Sequence, residues 1–306
     1  MPRLRRIIQY IEVEVMKRNI SKLILFVLLG FACVATAAVQ ENIQPLSFAV
    51  IGDTGDGSKA QATIAQHMLA YRQKVPFDFV LMLGDNIYGG GKPKYFKPYF
   101  EVPYKDLLAA GVKFYAALGN HDADQADFHI NYKDFNMGGK RYYNFVKDIE
   151  GTKNLIEFFA LDTNETDGIA KEQLDWLNKA LDDSKARWKV AYMHHSLFSS
   201  GRMHPPYLKL RNQLHPLFVK HKVNLVLAGH VHVYERIKPQ DGVQYITEGC
   251  SGKIMRGNLN KPSPLTAFGN DQQQSFLMVQ VTPRDLTVQA IGLDGKQFDT
   301  VLLKRE

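Results

Sequence analysis

Short apolar runs alternate with helical patterns through most of the chain. Six runs of five to seven residues have the length and continuous hydrophobicity of buried strands. They span residues 46–51, 79–83, 112–118, 155–161, 189–193 and 223–228. Between them, residues 60–72 and 173–181 have helical patterns, and in the second Leu174, Leu177 and Leu181 fall on one face. Strands that alternate with helices predict an α/β sheet.

The C-terminal part has a different pattern, in which strand-like runs follow one another with few helices between them. These runs cover residues 243–246, 275–281, 286–291 and 298–303. This pattern predicts a second, more antiparallel sheet. Residues 251–274 are rich in Gly, Pro, Asn and Gln, which predicts a surface loop. Because no linker divides the chain, we expect a single domain over residues 45–306.

The N-terminal segment is basic, then apolar, then rich in small residues. Its basic residues are Arg3, Arg5, Arg6, Lys17, Arg18 and Lys22. An apolar run over residues 23–35 leads into an A-x-A site that ends at Ala37. This order predicts a signal peptide over residues 1–37 and export to the periplasm or the medium. Met16 is an alternative start. The run is shorter than the roughly 20 residues of a spanning helix, although an uncleaved membrane anchor is the alternative.

Composition and charge narrow the classes of protein that this chain can belong to. Its hydrophobic content of 45% and charged content of 23% are those of a globular protein. The net charge of +7 falls to +3 without residues 1–37, which hold six basic and two acidic residues. We therefore expect no nucleic-acid partner. Because Cys33 lies in the predicted signal, Cys250 alone remains, and an internal disulfide is excluded.

Five polar clusters stand directly after five of the predicted strands. They are Gly52-Asp53-Thr54-Gly55, Gly84-Asp85-Asn86-Ile87-Tyr88, Gly119-Asn120-His121-Asp122, His194-His195 and Gly229-His230-Val231-His232. Sites in α/β sheets lie beyond the carboxyl ends of the strands, so these clusters should converge on one rim. Their carboxylates, imidazoles, amide and phenol suit hard or borderline metals. Two such ions about 3.5–4 Å apart can hold both oxygens of an in-line displacement.

In this order, GDTG, GDNIY, GNHD, HHS and GHVH resemble the five-motif signature of purple acid phosphatases within the calcineurin-like metallophosphoesterases. The resemblance covers about residues 46–236 and is strongest to the small, tartrate-resistant type. It implies a catalytic domain built as a four-layer sandwich, in which two packed mixed β-sheets are flanked by helices. It also implies an acid phosphatase, a hydrolase that cleaves phosphomonoesters with a hydroxide on a dinuclear metal centre.

The resemblance also implies the metal ligands. The first metal, Fe(3+), would be held by Asp53, Asp85, Tyr88 and His232. The second metal, Fe(2+), Zn(2+) or Mn(2+), would be held by Asp85, Asn120, His194 and His230, with Asp85 as the bridge. A phenolate at Tyr88 would suit ferric iron, while the alternative is a tyrosine that only packs. The family often has Val three residues before the fourth-motif histidine, where this chain has Ala191.

The remaining polar residues of the motifs would face the substrate, a small phosphate ester. His121 would contact the phosphate or protonate the leaving group, and His204 would be a second catalytic histidine. Asn120 and His195 would also bind substrate, or His195 would support a ligand. We expect Asp122 to hydrogen-bond His121 and orient it.

Two other functions remain open at this point. A phosphodiesterase or nucleotidase would use the same metals, because only the surrounding loops would differ. A catalytically silent, metal-stabilised binding protein would have lost a ligand or His121, and neither loss is present. The sequence gives no indication of the oligomeric state.

Overall fold

The structure is a computed structural model that describes residues 14–18, 44–165 and 168–305. The described residues from Gln44 onward belong to one compact unit, and residues 14–18 form a short helix in a separate N-terminal unit. Most of the predicted signal peptide and its cleavage site lie outside the described residues, so export stays a prediction. Within the described ranges, no helix has the length and apolar character needed to cross a membrane.

Thirteen strands and five α-helices lie within residues 44–165 and 168–305. The strands are β1 (Leu46–Ile51), β2 (Phe79–Met82), β3 (Lys113–Ala116), β4 (Tyr143–Ile149), β5 (Thr152–Ala160), β6 (Trp188–Met193), β7 (Leu225–Ala228), β8 (Tyr234–Ile237), β9 (Gln244–Glu248), β10 (Thr266–Asn270), β11 (Ser275–Val281), β12 (Asp285–Gly292) and β13 (Gln297–Lys304). The helices are α1 (Lys59–Lys74), α2 (Lys105–Ala109), α3 (Ala126–Asn131), α4 (Lys171–Asp183) and α5 (Leu208–Lys220).

The strands form two mixed sheets. The first sheet has the order β13-β12-β11-β1-β2-β3, with β1, β2 and β3 parallel and the C-terminal strands antiparallel. The second has the order β10-β8-β9-β7-β6-β5-β4, with β5, β6, β7 and β9 parallel. Loops follow the carboxyl ends of the parallel strands in each sheet, and the five polar clusters lie on these loops.

The two sheets pack face to face through aromatic side chains. Phe48 of β1 stacks on Phe79 of β2 with ring centroids 5.0 Å apart, and its edge meets Phe158 of β5 at 5.1 Å. A second apolar cluster forms where α4 and α5 cover the other face of the second sheet, with Leu177 and Phe218 fully buried. The fold is therefore α/β, with two packed sheets and flanking helices, as predicted.

Two details of the predicted fold are wrong. The C-terminal strands form no sheet of their own, because β11 pairs with β1 and extends the first sheet. Residues 251–274 are more than a surface loop, since they include β10, which pairs with β8. The sequence also gave no prediction for β4, β8 or α5. β8 is only four residues long and contains Glu235 and Arg236, so its hydrophobic pattern is weak.

Candidate dinuclear metal site

The five polar clusters lie together, but they come from two sheets. Asp53, Asp85 and Asn120 follow β1, β2 and β3 of the first sheet, whereas His194 and His230 follow β6 and β7 of the second. Backbone hydrogen bonds join neighbouring loops of one sheet, as from Asp53 N–H to the carbonyl of Gly84 at 3.1 Å. The clusters therefore come together at the carboxyl ends of strands from both sheets, where Asp53 bonds His230 and Asn120 contacts His194.

The backbone turns sharply at four of the candidate ligands. Asp53, Asp85, His230 and His232 have φ values of 51°, 50°, 70° and 56°, in the left-handed region that non-glycine residues rarely adopt. Such strained conformations concentrate at functional sites, where surrounding contacts hold them. The loops after β2 and β3 also lie very close together, because a Cβ on Gly119 would be 2.1 Å from the backbone nitrogen of Asp85.

Two groups of side chains offer atoms that can bind a metal, and we call them the first and second donor groups. The first comprises Asp53, Tyr88 and His232, with Asp85 beside them. Asp53 Oδ1 lies 3.3 Å from Tyr88 Oη and 3.2 Å from His232 Nε2, and these last two atoms are 3.1 Å apart. Asp53 is fully buried, and its other oxygen accepts the backbone N–H of His230 at 2.7 Å. Burial raises the pKa of Tyr88, and the carboxylates of Asp53 and Asp85 raise it further.

The second group of donors surrounds His194. Its Nδ1 donates to the carbonyl of Leu83 at 2.9 Å, which leaves the lone pair of the neutral ring on Nε2. This Nε2 lies 3.0 Å from Asn120 Oδ1, 3.4 Å from Asp85 Oδ1 and 3.1 Å from His230 Nδ1. Burial alone would lower the pKa of His194, but Asp85 and other acidic neighbours make the net shift upward. The buried group therefore attracts positive charge.

The arrangement fits two metal ions. The donor atoms of Asp53, Asp85 and His232 lie within 4.8 Å of one another, and those of His194 and His230, the two histidines predicted to hold the second metal, lie within the same distance of each other and of His195. Asp53, Asp85, His194 and His230 are buried, His232 is half-buried and Asn120 is exposed, and together with Tyr88 they offer carboxylate, phenol, amide and imidazole donors. Buried acceptors that face one another without protons are unfavourable unless a cation lies between them. Asp85 contacts the second group and belongs to the first, which is the place of a bridging ligand.

The substrate-side histidines surround these two groups. The side chain of His121 is 48% exposed, and its Nε2 lies 4.0 Å from Asp85 Oδ2. The ring of His204 lies 4.4 Å from that of His230 and 5.7 Å from that of His232, measured between centroids. His195 lies 4.5 Å from His230 in the same measure. All seven predicted ligands and all three predicted substrate-side histidines therefore lie at one site.

Comparison with known proteins agrees with this geometry. The sequence profile of the calcineurin-like phosphoesterase family matches residues 46–234. Purple acid phosphatase 17 of Arabidopsis thaliana is 30% identical, and the match covers 87% of this chain and 88% of that protein. The chain belongs to the purple acid phosphatases. Tartrate-resistant acid phosphatase type 5 of Mus musculus is 27% identical over 91% of this chain and 98% of that protein.

Solved structures show the same fold for this purple acid phosphatase. The enzyme PPD1 from yellow lupin seeds has a TM-score of 0.73 at 16% identity, over 87% of this chain and 55% of that one. GAP50 of Plasmodium has a TM-score of 0.75 at 19% identity, over 86% of this chain and 89% of that one. Family membership makes the chain a metal-dependent hydrolase of phosphoric esters.

Asp122 contradicts one prediction for this phosphatase. Within the described part of the chain, its carboxylate accepts the backbone N–H groups of Asn86, Ile87 and Gly119 at 2.9 to 3.1 Å, instead of bonding the ring of His121. Asp122 also lies 3.6 Å from the buried ring of His129. It therefore joins the loops that carry Asp85 and Asn120, and adjacency in sequence to His121 was misleading.

Lys253 is a site residue that sequence reasoning missed. It lies in the segment predicted to be a surface loop, but its backbone N–H donates to the carbonyl of Asp53 at 3.0 Å. Its Nζ lies 4.9 Å from the ring centroid of Tyr88. Positive charge beside the first donor group suits an anionic substrate. No motif marks this lysine, because the contact depends on how residues 251–253 pack against β1.

Proposed function

We propose that this purple acid phosphatase hydrolyses small phosphomonoesters at a dinuclear metal centre held by the seven residues of the two donor groups. The observation that carries the proposal is the position of Asp85, which lies between a group containing a phenol and a group containing imidazoles and an amide. Two adjacent cation sites that share a carboxylate are the arrangement used for in-line displacement at phosphorus.

The two sites would hold different metals. Asp53, Asp85, Tyr88 and His232 would hold Fe(3+), because a hard phenolate and carboxylates favour a trivalent ion. The raised pKa of Tyr88 means that ionising this phenol needs a strong positive charge nearby. Asp85, Asn120, His194 and His230 would hold Fe(2+), Zn(2+) or Mn(2+), for which imidazole is a suitable ligand.

The protein side chains would complete the reaction. When bound, the two cations neutralise charge on the phosphoryl oxygens and acidify a water molecule. His121 is half-exposed beside Asp85, so its Nε2 can reach a leaving-group oxygen and donate a proton to it. His204 approaches from the side of His230 and would contact a phosphoryl oxygen.

His195 is better suited to the substrate than to a metal. The hydroxyl of Thr163 accepts the backbone N–H of His195 at 3.3 Å and lies 2.8 Å from its Nδ1. Among the hydrogen bonds of the described residues, this hydroxyl has no other acceptor, so it donates to Nδ1. Burial and the neighbouring His194 lower the pKa of His195 to about 3. The neutral ring then carries its hydrogen on Nε2, which can donate to a phosphoryl oxygen but cannot bind a metal.

Two rival functions are less well supported. A phosphodiesterase would share the metal site, but the similar proteins are named acid phosphatases. A silent binding protein is at odds with the complete set of ligands and with the exposed His121. Export also stays part of the proposal. N-terminal sequencing of the protein from the periplasm or medium should begin after Ala37, and an intact N-terminus there would refute this cleavage site.

The test of the function compares a nitrophenyl phosphate monoester with the matching diester. Purified protein is loaded with iron alone or with iron and zinc, and both substrates are assayed from pH 4 to 9 with metal content measured in parallel. We expect faster cleavage of the monoester, with an optimum on the acid side of neutrality. Preference for the diester would move the function to phosphodiesterase. Absence of cleavage with two metals bound would refute hydrolysis.

A further inference from the structure

The segment that carries His204 is fixed by buried polar contacts outside the metal site. We call residues 199–207 the His204 loop. It leaves β6 after the fourth motif, and it brings Tyr207 Oη to 3.4 Å from His230 Nε2. Met203 is 68% exposed and Tyr207 is 44% exposed, so little apolar burial holds this part of the loop. Its position over the donor groups therefore depends on hydrogen bonds near its start.

Glu235 provides the first set of these hydrogen bonds. This residue of β8 is fully buried, and it stands three positions after His232. Its carboxylate accepts Ser199 Oγ at 2.8 Å, Ser200 Oγ at 2.6 Å and the backbone N–H of Ser200 at 2.9 Å. Thr266 Oγ1 of β10 adds a bond of 2.5 Å. These donors are uncharged, so the buried carboxyl group is stabilised by hydrogen bonds, three of which come from the loop.

Asn258 provides the second set. Its Oδ1 accepts the backbone N–H groups of Arg202 and Met203 at 3.1 and 2.9 Å, and its backbone carbonyl accepts Arg202 N–H at 2.9 Å. Its Nδ2 donates to the carbonyl of Val231 at 2.9 Å. Since Val231 lies between His230 and His232, Asn258 connects the loop directly to the fifth motif.

The loop and the fifth motif are in close contact at Gly201, where no side chain would fit. Gly201 forms a β-bridge with Leu259, and a Cβ on Gly201 would lie 2.3 Å from Val231 Cγ1. Leu259, Val231 and Val233 form a small buried apolar cluster beneath this bridge. The start of the loop is thus held on both sides of Gly201. His204 directly follows Met203, whose N–H donates to Asn258.

We propose that Glu235 and Asn258 are positioning residues that hold His204 over the second donor group for phosphoester hydrolysis. The inference rests on the proposed function of His204. In the part of the chain that the structure describes, neither side chain bonds the side chain of a candidate ligand. Glu235 acts through the loop, and Asn258 bonds the loop on one side and the backbone carbonyl of Val231 on the other. Loss of either anchor lets the histidine leave its place while the metal ligands stay in position. The effect falls on steps that use His204 and not on metal binding.

A double-mutant cycle tests this dependence in the metal-loaded enzyme. We expect Glu235→Gln to lower kcat/KM for nitrophenyl phosphate about tenfold, because its amide nitrogen cannot accept the donors that a carboxylate oxygen accepts. In a His204→Ala background the same change should cost less than twofold. Metal content should stay at two ions per chain throughout. Equal losses in both backgrounds would show that Glu235 acts independently of His204 and would overturn the proposal.

Two further variants separate positioning from folding. Asn258→Asp keeps the oxygen that accepts from Arg202 and Met203 but loses the Nδ2 donor to Val231, whereas Asn258→Leu loses both at similar size. We expect the aspartate variant to keep more activity than the leucine variant, which should match His204→Ala. Glu157→Gln is the control, because Glu157 is a buried glutamate that bonds Asn144 on the edge of the second sheet. If this control lost as much activity as Glu235→Gln, a general loss of stability would explain the effect, and the positioning role would be refuted.

Hydrogen exchange gives a readout that does not need catalysis. The amide of Ser200 donates to the Glu235 side chain and that of Met203 to the Asn258 side chain, so we expect Ser200 to exchange at least tenfold faster in Glu235→Gln and Met203 to do so in Asn258→Leu. Unchanged exchange would overturn the proposal even in an active enzyme. If the wild-type enzyme failed to cleave the monoester, the proposed function would fail, and exchange would still decide whether the anchors hold the loop.

Discussion

Glu248 offers a prediction in which the pH dependence of stability can be worked out from the structure. It is a fully buried glutamate at the end of β9, where it accepts Ser275 Oγ at 2.8 Å and Ser251 Oγ at 3.4 Å. Burial raises its pKa to about 7, and the hydrogen bonds from Ser275, Cys250 and Ser251 offset part of this effect. The folded protein therefore keeps Glu248 protonated at acid pH.

The sign and size of the effect follow from linkage. The unfolded chain ionises this glutamate near its ordinary pKa of 4.5, whereas the folded chain ionises it near 7. Between these values the folded state binds more protons, so its contribution to stability is complete below pH 4.5 and is lost as the pH rises to about 7. At about 1.4 kcal/mol per pH unit, the total loss is ~3.5 kcal/mol, most of it between pH 4 and pH 8.

The variant Glu248→Gln replaces the protonated side chain by a neutral one of the same shape. The free energy of unfolding is measured in urea with a chelator present. We expect the difference between variant and wild type to rise by ~3 kcal/mol in favour of the variant from pH 4 to pH 8. Other titrating groups are common to both proteins and cancel in the difference. Ser275→Ala should extend the loss of stability in the protein with Glu248 to higher pH, because it removes a hydrogen bond that lowers the pKa of Glu248. A difference that stayed constant with pH would refute the reasoning.

Four further predictions concern the metal site. Asp85→Asn should abolish turnover and reduce metal content, and near-normal activity would exclude a bridging role. Tyr88→Phe should bleach the visible colour of the iron-loaded protein, and an unchanged absorption spectrum would exclude the phenolate ligand. Asp122→Ala leaves three buried N–H groups without an acceptor, so the free energy of unfolding should fall by about 3 kcal/mol or more in urea titrations, whereas no loss would contradict the loop-joining role. Lys253→Met should raise KM for the monoester severalfold with little change in kcat, and equal KM values would exclude substrate contact.

Much of the site was predictable because its residues follow strands directly. Asp53, Asp85 and His230 each stand one or two positions after an apolar run, so the ends of strands could be read from the sequence. Parallel strands then place these residues at one edge. Asn120 and Tyr88 belong to motifs that begin with a glycine at the end of a strand, and their place among the ligands was implied by the resemblance to purple acid phosphatases.

Other residues could not be assigned, because their contacts join distant parts of the chain. Asp122 was predicted to orient His121, yet it bonds Asn86, 36 residues away. Glu235 anchors Ser200 across 35 residues, and Lys253 reaches the first donor group through its contact with Asp53. A hydrogen bond of this kind leaves no spacing pattern in the sequence.

The sequence by itself determined the alternation of strands and helices and the residue types at the strand ends, and these residue types carried the prediction of a metal site. These properties are local, because burial on one or both faces of a strand imposes its own hydrophobic period. Tertiary structure alone decided that the ligands come from two sheets, that β11 to β13 extend the first sheet and that residues 251–274 support the site. The physical reason is that strand pairing and buried hydrogen bonds depend on which segments meet in space, and many sequences with the same local pattern can meet in different orders.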